Sequence, residues 1–193
     1  EDGKWIKRAF PNEQGNKNTI ATVKEKSIQY TKDYYAQGNM SLDVDVLDGL
    51  RWENKAGFNF QNNKSSTFRP VVPMYYFNDM SSAGLLDVGT PGLNVQRNDV
   101  IYTVFYSQLN YHKTFGDHTL SILGGYQQEK SQASSISASR RQYPTNLLTE
   151  LDAGPADGQT NGGTSSQWAI GSLYATANYS LKDKYLLGGS VRY

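Results

Sequence analysis

Three times along this chain, a run of alternating apolar and polar residues stops at a short polar turn and then resumes. In the first run, Met40, Leu42, Val44 and Val46 share one parity while Ser41, Asp43 and Asp45 share the other. Successive side chains of a strand point to opposite faces, so a period of two with one oily face marks a β-strand. Leu47-Asp48-Gly49-Leu50 follows. Asp-Gly between alternating runs signals a hairpin, because a tight primed turn needs positive φ and glycine adopts it without steric cost. The return run puts Trp52, Ala56, Phe58 and Phe60 on one face, with Asn54 the single polar residue among them, and Arg51, Glu53, Lys55 and Asn59 on the other.

The second hairpin runs from about Val100 to His112, turns at Lys113-Thr114-Phe115-Gly116-Asp117 and returns from His118 to Gln128. Leu109 and Tyr111 oppose Gln108, Asn110 and His112, and Leu120, Ile122 and Tyr126 oppose Thr119, Ser121 and Gln127. Leu123 breaks the pattern and the stretch from Val100 to Tyr106 is apolar on both faces, so the pattern marks the hairpin more firmly than its register. In the third, Ala169, Leu173, Ala175, Ala177 and Tyr179 oppose Ser172, Tyr174, Thr176 and Asn178. After a turn at Ser180-Leu181-Lys182-Asp183-Lys184, Tyr185, Leu187, Val191 and Tyr193 oppose Ser190 and Arg192.

The turns near 48, 116 and 182 are spaced by 68 and then 66 residues, which makes the hairpin a recurring unit. The pattern sets hairpins at about 40–60, 100–128 and 168–193, joined by long loops at about 61–99 and 129–167 that are rich in Gly, Ser, Asn, Pro and Asp. Soluble sandwiches keep their loops short at both ends, and compact domains rarely hold structureless connections beyond about 12–15 residues. Short turns on one side with long loops on the other match an outer-membrane barrel, in which short turns face the periplasm and long loops face outward. The expected fold is therefore all-β: an antiparallel transmembrane β-barrel segment of about six strands, the whole chain forming part of one barrel domain. Transmembrane barrels start at about 8 strands, so the remaining strands are expected outside this chain, in a much longer natural protein.

Composition agrees. Tyr occurs 14 times and Gly 18 times, which suits strands, turns and interfacial belts, while 37% hydrophobic residues is low for a conventional globular core. A net charge of +1 builds no field for nucleic acid, and the absence of Cys excludes a disulfide scaffold, a thiolate metal site and a Cys nucleophile. The longest apolar run, Val71 to Phe77, is far short of the roughly 18 residues a membrane-crossing helix needs. Glu1-Asp2-Gly3-Lys4-Trp5 has no signal-peptide pattern, so the chain is expected to be mature or an excerpt.

In lipid a strand must pair its backbone sideways, and its side chains then alternate between lipid and lumen. The residues expected to face lipid are Met40, Leu42, Val44, Trp52, Phe58, Phe60, Leu109, Tyr111, Leu120, Ile122, Leu173, Ala175, Tyr179, Tyr185 and Leu187. Asp43, Asp45, Arg51, Glu53 and Lys55 take the opposite face, which spares them the roughly 2–4 kcal/mol that Lys or Arg costs at the bilayer midplane. Trp52, Tyr111, Tyr179 and Tyr185 recur close to the turns, as a periplasmic aromatic girdle requires.

These residues resemble a known family, the SusC/RagA type of TonB-linked outer-membrane receptor. The likeness rests on Asp43-Val44-Asp45-Val46-Leu47-Asp48-Gly49-Leu50 before an aromatic strand, and on Leu109-Asn110-Tyr111 leading through Phe115-Gly116-Asp117-His118 to Gly124-Gly125-Tyr126. A third stretch, from Ala175-Thr176-Ala177-Asn178-Tyr179 through Lys182-Asp183-Lys184-Tyr185-Leu186-Leu187 to Val191-Arg192-Tyr193, is similar to the family's mid-barrel hairpin. Together these stretches cover about half of the chain. The resemblance implies a roughly 22-stranded barrel with an N-terminal plug. It also implies nutrient uptake of oligosaccharides or peptides, a SusD-like surface lipoprotein as lid and energy from TonB through the plug. No plug or TonB box occurs in these residues, so energy coupling rests on the likeness alone.

No catalytic residue, metal site or cofactor is expected. His112 and His118 flank a turn with Asp117 between them, and a solvated pair is the simpler reading than a metal or acid/base site. Asp43, Asp45 and Glu53 face Arg51 and Lys55, where cross-strand charge complementarity accounts for them better than a glycosidase pair. The sequons at Asn39, Asn63 and Asn178 carry no weight in a bacterial context. Ligand contacts belong on loops, where Tyr75, Tyr76, Asn78 and Asp79 combine stacking faces with hydrogen-bonding groups; the plainer alternative is that Val71 to Phe77 continues a strand or packs under a partner. Lys4, Lys7, Arg8, Lys17, Lys24 and Lys26 read as loop or emergent strand near an extracellular rim. Two rivals remain at this point: a soluble secreted β-rich module binding glycans or adhesion partners, and an outer-membrane barrel of another kind. The soluble reading requires Met40, Phe58, Leu120, Leu173 and Leu187 to be sealed in a common core.

Overall fold

The computed structural model describes residues 4–8, 18–25, 27–77, 79–85 and 91–193. In chain order its elements are β1 (Trp5–Arg8), α1 (Thr19–Lys24), β2 (Ile28–Leu47), β3 (Leu50–Arg69), β4 (Pro73–Tyr76), β5 (Ser82–Leu85), β6 (Gly92–Phe115), β7 (His118–Arg141), a 3-10 turn (Leu151–Ala153), β8 (Thr160–Leu181) and β9 (Tyr185–Arg192). Six of them form one antiparallel sheet in the order β2-β3-β6-β7-β8-β9, so the three expected hairpins lie side by side in sequence order. In the last hairpin Tyr174 pairs with Arg192 and Leu181 with Tyr185.

The strands run further than their alternation. β3 continues to Arg69 and β6 begins at Gly92, while β7 continues to Arg141 and β8 begins at Thr160. The expected loops at 61–99 and 129–167 therefore contain strand at both ends. The cause is chemical: in these outer stretches polar residues occupy both parities, and cross-strand amide contacts replace an oily face. Asn63 donates to Asp33 at 2.6 Å and Asn98 donates to Asn63 at 3.4 Å. Pro70 and Pro91 stand immediately outside β3 and β6, where a residue without an N–H ends a ladder.

The turns are tighter than expected. The second consists of Gly116 and Asp117 alone, with Gly116 at φ +61°. In the first, positive φ falls on Gly49 (+79°) and not on Asp48. In the third, Lys182 and Asp183 take φ +54° and +53° without any glycine.

The chain divides into two compact units. Unit 1 comprises Glu1–Asp33, Asn63–Asn98 and Ser135–Thr164; unit 2 comprises Tyr34–Asn62, Asp99–Ser134 and Ser165–Tyr193. Unit 1 holds a second sheet, absent from the sequence expectation, in the order β1-β4-β5. β1 pairs with β4 in parallel, Trp5 beside Met74, and β4 pairs with β5 antiparallel. Asn18 caps α1 by accepting from Ala21 N at 2.9 Å and ties it to the sheet by donating to Ile6 O at 2.7 Å. Ala21, Val72, Met74 and Ala83 form one buried cluster, flanked by Trp5 and Tyr76. Phe68, Leu93 and Tyr143 form another, in which the Phe68 and Tyr143 rings meet edge to face at 5.4 Å.

Unit 2 is a single layer of strands. Among the described residues every buried hydrophobic belongs to unit 1, and the buried residues of unit 2 are the polar Asn62 and Ser172. No helix among the described residues is long and apolar enough to cross a membrane.

Candidate functional site

The polar side of unit 2 is a web of cross-strand contacts. Arg51 Nε and Nη2 grip the Asp45 carboxylate at 2.8 and 3.4 Å, and Gln108 donates to Glu53 at 2.6 Å. Tyr174 donates its hydroxyl to Gln108 Oε1 at 3.0 Å. Gly125 makes this possible: a β-carbon there would stand 2.8 Å from the Tyr174 ring and from Gln108 Cβ, so its bareness lets Tyr174 lie across β7. Arg192 reaches Gln127 at 3.4 Å and Ser172 at 3.3 Å, Tyr102 donates to Glu129 at 2.8 Å, and Lys55 Nζ stands 5.6 Å from the centre of the Tyr106 ring. Asp45 and Glu53 are thus committed to partners on neighbouring strands. The stretch from Val100 to Tyr106, ambiguous in sequence, resolves into Tyr102 and Tyr106 on this side, with Ile101 and Phe105 alternating to the other.

The opposite side is apolar and open. Met40 is 76% exposed, Phe58 49% and Leu187 75%, and Leu42, Val44, Trp52, Leu109, Ile122, Leu173 and Tyr185 are also exposed. Phe60, Tyr111, Leu120 and Tyr179 are partly covered, and Ala175 is exposed. Met40, Phe58, Leu120, Leu173 and Leu187 belong to neither buried cluster, so the sealed core required of a soluble module is not formed by them. Trp52 donates its indole N–H to Ser107 at 2.9 Å. Next to the second and third turns, Phe115 stacks on His118 at 5.8 Å, and His118 meets Tyr179 at 5.9 Å with Nδ1 hydrogen-bonded to the phenol.

The two histidines do not converge. His112 Nδ1 lies 2.8 Å from Ser121 Oγ on the polar side, whereas His118 sits in the aromatic group on the other. Among the described residues no group of three or more His, Asp or Glu is placed to hold a metal ion.

The loop residues singled out for ligand fare differently from one another. Tyr76 packs against the buried cluster of unit 1, and its backbone anchors a turn by accepting from Met80 N at 3.0 Å and donating to Ser81 O at 2.9 Å. Tyr75 alternates away from that core and carries Lys4 Nζ at 5.2 Å from its ring centre. Asp79 accepts from Ser81 N at 2.9 Å and Ser81 Oγ at 2.7 Å, and these bonds hold its carboxyl below the ordinary value. Asn78 lies outside the described residues. Val72 and Met74 are buried, so the apolar run is chiefly core of the small sheet, which the alternative reading of that run foreshadowed only in part.

A one-layer antiparallel sheet with one networked polar face and one bare apolar face is the wall of an outer-membrane β-barrel. Comparison with known proteins narrows this class. The chain is 26% identical over 193 residues to the TonB-dependent receptor P3 of Formosa agariphila, covering 99% of this chain and 18% of that protein. It is 26% identical over 200 residues to the TonB-dependent receptor P39 of the same organism, covering 99% and 17%. The chain thus spans less than a fifth of the length of these relatives. No family model matches it. Its fold superposes on the RagAB peptide transporter with a TM-score of 0.76 at 16% identity, covering 95% of this chain and 20% of that one. On the RagAB peptide importer in the open-open state the TM-score is 0.72 at 17% identity, covering 95% and 19%. The chain is accordingly similar in sequence to a stretch of TonB-dependent receptors and shares the fold of a part of the RagAB transporter.

Proposed function

We propose that this chain is wall and outer loops of a TonB-dependent receptor that imports an oligosaccharide or peptide nutrient, without an enzymatic step of its own. The carrying observation is that unit 2 has no hydrophobic core and leaves a continuous apolar side bare. Lipid is the occupant that such a side fits, and the fifteen residues from Met40 to Leu187 named above are its lipid-facing set. The opposite side, with Glu53, Gln108, Tyr174 and Arg192 tied together, faces a wet lumen. A plug contacted by TonB and a SusD-like surface lipoprotein complete the working receptor in this reading; the Formosa relatives are named TonB-dependent, which supports the TonB contact.

Ligand capture belongs to the outer loops, with Tyr75 and Asp79 as candidate contacts. Tyr76 is a poor probe of this role because its ring supports the buried cluster. The test is uptake of labelled oligosaccharide and labelled peptide pools by cells with and without the full-length receptor, and with TonB inactivated. One pool is expected to enter only when both receptor and TonB are present. Equal uptake in all strains would remove the transport reading, and an unchanged KM for Tyr75→Ala would dismiss that side chain as a contact.

A further inference from the structure

A groove of about 530 Å3 crosses the apolar side of unit 2, lined by Gly38 and Met40 of β2, Ala56 and Phe58 of β3, Phe105 of β6 and Lys130 of β7. Its depth comes from small residues. Gly38 has no side chain, and the Phe58 ring lies so close over it that a β-carbon there would stand 2.4 Å from Phe58 Cε1. Ala56 beside it is the next smallest residue. Between Met40, Phe58 and Phe105 this leaves an apolar channel suited to a hydrocarbon chain.

Lys130 is out of place on such a face. It shares the parity of Leu120, Ile122 and Tyr126, is exposed, and has Gln128 as its neighbour on the same side. At the bilayer midplane a lysine costs about 2–4 kcal/mol, falling to about 0–1 kcal/mol near an interface. Lys130 stands 13 residues beyond Asp117. Strands tilted by about 35–45° advance roughly 2.5 Å per residue along the membrane normal, which raises Lys130 about 30 Å above the turn. That is the outer edge of the apolar band, at the depth of headgroup phosphates on the long-loop side.

We propose that this groove seats one acyl chain of lipid A, the phosphorylated glycolipid of the outer leaflet, with a lipid phosphate paired to Lys130 Nζ and Gln128 donating to the same headgroup. An anionic headgroup at this depth complements the single ammonium, and the leaflet follows from the long-loop side. The proposal rests on the membrane-wall reading above and names the lipid it selects.

The test uses the full-length receptor, purified from outer membranes, delipidated in detergent and titrated with purified lipid A or with phosphatidylglycerol under native mass spectrometry. The wild type is expected to hold one lipid A more tightly than the rest. Lys130→Gln should weaken that site about tenfold, Lys130→Arg should restore it, and Thr103→Trp should abolish it by filling the groove, which Thr103 of β6 also lines. Heat-resistant gel mobility confirms that each variant is folded. Equal lipid A affinity in the wild type and Lys130→Gln overturns the seat, as does phosphatidylglycerol bound as tightly as lipid A. A receptor that fails to enter outer membranes at all defeats the wall reading itself, whereas one that enters them and shows no Lys130 dependence defeats only the lipid seat.

Discussion

Gly49 carries two constraints at once: its φ is +79°, and a β-carbon there would stand 2.4 Å from the carbonyl oxygen of His112. Its own carbonyl accepts from His112 N at 2.7 Å, so the turn cannot move away without losing that bond. Gly49→Ala should therefore cost more than the roughly 1–2 kcal/mol of the left-handed conformation alone. Gly116→Ala, at φ +61° with open space around it, should cost only that amount. Unfolding midpoints of the two variants measure the difference, and equal losses would contradict the contact. Tyr143 makes a second residue-scale case. Its hydroxyl donates to Glu150 O at 2.9 Å, and burial raises its phenol above the ordinary value. Tyr143→Phe should lose about 1 kcal/mol and keep the edge-to-face contact with Phe68. Because the unfolded phenol releases its proton first as pH rises, native stability should fall above about pH 10, and this fall should be smaller in the Phe variant, as a pH series of midpoints would register.

The third turn closes a hairpin with Lys182 and Asp183 both in left-handed backbone. The ion pair of Lys182 with Asp117, at 3.4 Å and well exposed on both sides, is worth little against that strain. Lys182→Gly should raise the unfolding midpoint, by up to about 1 kcal/mol of stability, and a lowered midpoint would show that the pair matters more than the backbone. At this scale the sequence was legible where one strand face is oily. Met40 to Val46, Trp52 to Phe60 and Tyr185 to Tyr193 announce their strands because their two faces differ in kind, one apolar and one polar. From Gln61 to Thr67 both parities are polar, so the period of two vanishes although the ladder continues to Arg69; Pro70 and Pro91 were the remaining signals of the strand ends. β1, β4 and β5 were illegible for another reason. Four residues are too few to show a period, and the parallel partner of Trp5 is Met74, far along the chain. The aromatic group of Phe115, His118 and Tyr179 is legible only in part: the place of Tyr179 beside a turn points to an aromatic cluster, whereas His118 beside Asp117 reads in sequence as solvated turn.

For the whole molecule the decisive property is that unit 2 is one layer thick, since a soluble protein would have to cover its apolar side with protein. Charge placement offers a first check. Leu173→Lys, on the bare side, should lower stability in lipid by about 2–4 kcal/mol, whereas Thr176→Lys on the polar side should be tolerated within about 0.5 kcal/mol, as unfolding of the reconstituted receptor would report. The most direct measurement uses the lack of cysteine in these 193 residues. Single cysteines at Leu42, Phe58, Ile122, Leu173 and Leu187, and at Asp43, Asn59, Ser121, Tyr174 and Ser190, can each carry a fluorophore in a full-length receptor otherwise freed of cysteine and reconstituted with brominated lipid. Quenching by lipid at the first five positions and by an aqueous quencher at the second five is the predicted result, and the absence of that alternation would contradict the account.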